Sequence, residues 1–110
     1  MAPDDVIRDI MRDGAKWQGD CADLAIKYVE RVKGITIERP QRALSVSAVS
    51  DVLGKPRRGA PVYGDVVLRN HGLGIFIDYA VLTVDQKNGL LMRLALRAGS
   101  MLAWSVTDGR

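Results

Sequence analysis

The chain has 110 residues, of which 47% are hydrophobic and 26% are charged, and its formal net charge is +3. That length allows one domain with a single core, and the composition excludes a disordered, collagen-like or coiled-coil chain. One cysteine excludes an internal disulfide and a cysteine-based zinc site, while one histidine excludes most metal sites and every two-histidine mechanism. We therefore expect no metal and no cofactor, and no segment has the roughly 18 consecutive apolar residues of a membrane span.

The first part of the chain, residues 1–54, is predicted to be helical. A first helix begins near Pro3, which suits a first helical turn, and Asp4 and Asp5 complement the positive end of the helix dipole. Gly14 is the predicted end of this helix.

The second helix has the clearest pattern. Asp20 is a good N-cap, and Gly34 is a typical stop. Between them, one apolar stripe follows helical spacing and places Cys21 in the first turn, facing the rest of the protein. The stripe consists of Cys21, Leu24, Ala25, Tyr28, Val29 and Val32.

A third helix is predicted to end at Gly54, although its pattern is ambiguous. Leu44, Val46 and Ala48 alternate with serines, as in a strand, yet the apolar spacing continues at helical intervals to Leu53. We favour the helix because glycine follows it directly.

The second part, residues 61–106, is predicted to form a small antiparallel sheet or half-barrel that packs against the second helix. Apolar runs at 65–69, 73–77, 80–84, 90–96 and 102–106 are separated by turn residues, and Asn88 with Gly89 is a strong hairpin signal. Residues 54–61 are rich in proline and glycine and form the predicted hinge. The fold class is therefore α+β in a single domain, 1–110. Run 90–96 has more apolar residues than one face needs, which suggests a second buried face in an assembly.

Cys21 is the residue best placed for chemistry. The N-terminus of a helix favours the thiolate form of a cysteine, and its free N–H groups can stabilise an oxyanion beside that sulfur. The alternative is a small buried residue on an apolar stripe, which is common for cysteine.

Four short motifs, in this order, resemble the NlpC-type cell-wall cysteine peptidases of the papain-like group. Residues 17–24, Trp-Gln-Gly-Asp-Cys-Ala-Asp-Leu, are similar to the nucleophile segment, and residues 63–67, Tyr-Gly-Asp-Val-Val, to the segment that leads into the first barrel strand. Residues 73–76, Leu-Gly-Ile-Phe, resemble the second strand. Residues 103–106, Ala-Trp-Ser-Val, resemble the end of compact NlpC-like proteins of phage and prophage tails.

The resemblance implies Cys21 as nucleophile and His71 as general base, and it implies a third polar residue further along the sheet that orients the base, for which we choose Asp85 by its location. It also implies a cleft and oxyanion site at Trp17, Asp20 and Ala22, although Trp17 alternatively fills the core. The family histidine directly precedes the Val-Gly-Ile strand, and that position here is Gly72, one residue after His71. A one-residue shift turns a strand side chain to the opposite face, so His71 reaches Cys21 only through a bulge and is otherwise a turn histidine. Thr83 and Gln86 are the other polar candidates for the orienting role.

Two functions follow from the resemblance, and a third lies outside it. The first is a structural or assembly component of a phage tail with a degenerate site, made in the host cytoplasm, located in the virion and bound to other tail proteins in a homo- or hetero-oligomer. The second is an active peptidase or amidase that cleaves peptide bonds of peptidoglycan. The third is a generic α+β binding module. The N-terminus does not resemble a secretory signal, and the basic residues Lys55, Arg57 and Arg58, interpreted as a solvated cluster without interleaved aromatics, do not support nucleic-acid binding.

Overall fold

The computed structural model describes residues 2–13, 21–37, 45–69, 72–77, 80–85, 91–95 and 101–106. In this part of the chain, helices precede an antiparallel sheet, so the predicted α+β class with helices against a small sheet is confirmed. The helices are α1 (Pro3–Arg12), α2 (Cys21–Lys33) and α3 (Ser45–Leu53). The strands are β1 (Arg57–Gly59), β2 (Val66–Arg69), β3 (Gly72–Ile77), β4 (Ala80–Val84), β5 (Leu91–Ala95) and β6 (Met101–Trp104).

The first two helices follow their sequence signals closely. α1 begins at Pro3 and buries Val6, Ile7 and Ile10 on one side. Gly34 directly follows α2, and its positive φ of 69° suits glycine and turns the next N–H, that of Ile35, to the Glu30 carbonyl at 3.1 Å. The predicted stripe of α2 packs in the core, as does Ile26, which the stripe did not include. The predicted stop of α1 at residue 14 and the cap at residue 20 lie outside the described residues.

The ambiguous third segment is a helix, as predicted. α3 ends at Gly54, which has φ 89° and donates its N–H to the Ser50 carbonyl at 2.8 Å. The Ser50 hydroxyl accepts a hydrogen bond from the Trp104 indole at 3.3 Å, which ties α3 to β6. A glycine stop is therefore a better guide here than three alternating residues.

The six strands form one sheet in the order β1-β6-β2-β3-β4-β5, and every neighbouring pair is antiparallel. The five predicted runs each contain a strand, and β4 pairs with β5, although Asn88 and Gly89 lie outside the described residues. β1 is a correction, because residues 57–59 lie in the predicted hinge and pair with β6. Strand β1 lies at the edge of the sheet, and prolines are tolerated beside such a strand.

The two faces of the sheet differ in what covers them. Leu73, Ile75 and Ile77 of β3 point into the main core with the three helices. The opposite face carries a smaller buried cluster of Val67, Phe76, Val81, Met101 and Ala103. Leu94 of β5 is 36% exposed.

Arg57 is not the solvated residue that the sequence suggested. Its guanidinium forms an ion pair with Asp65, whose side chain is only 2% exposed, and also donates to the Ser105 hydroxyl at 3.0 Å. Asp65 further accepts the Val62 N–H at 2.9 Å. The pair joins β1 to the turn before β2, so a residue interpreted as solvated helps to hold the edge of the sheet. None of the helices described has the length and hydropathy to cross a membrane.

Candidate functional site

Cys21 is the first residue of α2, as the sequence predicted. Its side chain is half-buried and packs against the main core. The first-turn N–H groups of a helix, here including that of Ala22, have no partner within the helix and carry its positive dipole end. Because α2 is 13 residues long, the thiol lies at the start of a full-length helix.

The strand position that faces this thiol is Gly72. A Cβ built on Gly72 would lie 3.6 Å from Cys21 Sγ, and among the described residues beyond its chain neighbours no other atom would lie within 4 Å of it. The β2–β3 ladder pairs Val66 with Ile75 and continues in step to Arg69 with Gly72. No bulge interrupts this described ladder, and Gly72 is its last described position on β3, where a Cβ would lie in contact distance of the thiol.

Asp85 follows β4 at the same end of the sheet. β3 and β4 pair Ile75 with Leu82 and Ile77 with Ala80, and extending that register places Asp85 opposite Gly72. Asp85 is half-buried. The thiol, the glycine and the carboxyl-bearing residue therefore occupy adjacent positions at one end of the sheet.

Four other candidate site residues lie outside the described part of the chain: Trp17, Asp20, His71 and Gln86. Thr83 uses its hydroxyl to donate to the Leu73 carbonyl at 3.1 Å, so it holds two strands together rather than facing the thiol.

The described arrangement can present a sulfur nucleophile beside backbone donors, but the facing strand position supplies no base. Glycine has neither a proton acceptor nor a side chain to exclude water, and general-base assistance contributes about 10²- to 10⁴-fold to catalysis. Gly72 is also the position at which the motif resemblance puts the family histidine, and the role of that position stays a prediction. The sequence does not give the distance of 3.6 Å between a Cβ on Gly72 and Cys21 Sγ, because that distance depends on how α2 packs against β3.

Comparison of the chain with protein-family models, with curated proteins and with solved structures finds no significant match. The resemblance to NlpC-type peptidases therefore stays a prediction, carried by the motifs and by the geometry around Cys21. Within the described residues, no group of three or more His, Cys, Asp and Glu side chains is arranged to hold a metal ion.

Proposed function

We propose that this chain is a structural or assembly component of a phage tail, built on an NlpC-like fold whose catalytic site has lost its base. The observation that carries the proposal is Gly72, because the position facing Cys21 Sγ holds the one residue type with no side chain. The described strand position beside the thiol thus offers no base, which supports a domain used for its shape.

Three further features support the same function. Residues 103–106, Ala-Trp-Ser-Val, resemble the end of compact NlpC-like tail-associated proteins, and Trp104 is buried in the core. The exposed apolar side chains of Val62, Tyr63 and Leu94 offer contact area to neighbouring proteins. Partners in this proposal are other tail proteins, and the location is the virion.

An active cell-wall peptidase is the second candidate, and one observation favours it. Cys21 is half-buried rather than sealed in the core, and the register places Asp85 at the same end of the sheet. In that function Cys21 Sγ attacks an amide carbonyl, while a base accepts the thiol proton and returns a proton to the leaving amine. His71 is the base in that reading.

Digestion of purified peptidoglycan separates the two candidates. Wild-type protein and Cys21→Ser are incubated with the cell walls, and released muropeptides are measured by mass spectrometry. We expect no release above buffer from either protein. Release by wild type that Cys21→Ser abolishes would establish the peptidase instead.

Assembly of infectious particles tests the structural function directly. The gene is deleted in the phage or prophage that carries it and supplied again as wild type or as Cys21→Ser. We expect deletion to lower the titre and both versions to restore it equally, with the chain detected in purified tails by mass spectrometry. Undiminished titre after deletion, or tails that lack the chain, would contradict the proposal.

A further inference from the structure

We draw no further inference here: the strongest candidate, the pocket of about 190 Å³ between the first turn of α1 and the turn at residues 63–65, has walls whose carboxylates, Asp4 and Asp65, already hold partners within the chain, and nothing in the structure shows what covers it.

Discussion

The two ends of β3 differ in the contacts that they make with neighbouring segments. At its C-terminal end, Phe76 exchanges backbone hydrogen bonds with Gly64 and Asp65, both of which are buried. The Tyr28 hydroxyl also donates to the Gly64 carbonyl at 2.5 Å, so this end is fastened to α2. At its N-terminal end, a Cβ on Gly72 would lie 3.6 Å from Cys21 Sγ, an ordinary van der Waals contact.

Two glycines on the same strand show what this difference means. A Cβ on Gly74 would overlap a Val81 methyl carbon and lie 3.0 Å from the Leu82 carbonyl oxygen, whereas a Cβ on Gly72 would meet, among the described residues, the thiol at 3.6 Å. Packing therefore requires glycine at 74, whereas the described neighbours of Gly72 leave room for a methyl group.

The largest loss of stability is expected from Arg57→Ala, near the C-terminal end of β3. Removing the guanidinium leaves the Asp65 carboxylate buried without its cationic partner, which is costly even though Arg57 itself is half-exposed. We expect the free energy of unfolding to fall by about 2–3 kcal/mol in urea denaturation.

Arg58→Ala is the matched control, since Arg58 is the next residue of β1 and is exposed. It removes the same charge from the same strand without touching Asp65, so its effect should stay within about 0.5 kcal/mol. Equal losses for the two variants would show that net charge, rather than the buried ion pair, holds this end of the sheet.

The second prediction tests whether Gly74 and Gly72 differ in their contribution to stability. Gly74→Ala should lower the free energy of unfolding by about 1–3 kcal/mol, because the new methyl group overlaps Val81 and the Leu82 carbonyl. Gly72→Ala meets only an ordinary van der Waals contact and should change stability by less than about 0.5 kcal/mol. Paired urea denaturation curves measure both, and a loss at 72 as large as at 74 would mean that glycine 72 is structural after all.

The third prediction introduces a base at the N-terminal end of β3. Gly72→His places an imidazole on the Cβ that faces Cys21 Sγ, next to the register position of Asp85. A free cysteine is only a few per cent thiolate at pH 7, and an adjacent imidazole raises that fraction, so alkylation by iodoacetamide should become about tenfold faster.

Gly72→Gln is the control for size and polarity, since its amide cannot take a proton. Its alkylation rate should stay near that of the wild type, and Asp85→Asn in the Gly72→His background should remove part of the gain. If histidine and glutamine variants react at the same rate, position 72 does not face the thiol in the way a base requires.

Local patterns predicted the elements of this fold, but not the contacts between distant segments. The apolar stripe of α2 and the stop at Gly34 are local signals, and both were sufficient. Strand β1 was missed because its three residues have no alternating pattern and become a strand only by pairing with β6. Likewise, nothing near Arg57 in the sequence names Asp65 as its partner. The thiol's place at the start of α2 was local and predictable, whereas the residue facing it depended on how the helix lies on the sheet.

The smallest effect on stability is expected from an exposed ion pair, which serves as a comparison for the buried pair of Arg57 and Asp65. Asp9 on α1 accepts a hydrogen bond from Arg31 of α2 at 2.8 Å, and this bond is the main reason that the pKa of Asp9 lies below its usual value. Desolvation opposes it, whereas the charges of Arg12 and Arg31 and a hydrogen bond from Arg12 lower the pKa further. A carboxyl whose pKa is lower in the folded state than in the unfolded chain stabilises the fold at pH values above its unfolded pKa, near 3.9. That contribution disappears as the pH falls through the folded pKa.

Asp9→Asn should therefore be slightly less stable than wild type at pH 7, and the difference should shrink below about pH 4. Urea denaturation at pH 7, 4 and 3 measures it, and 1 M NaCl should weaken the difference at pH 7, because exposed pairs are screened far more than buried ones such as Arg57 with Asp65. A difference that grows on acidification would mean that Asp9 is paired in the unfolded chain instead.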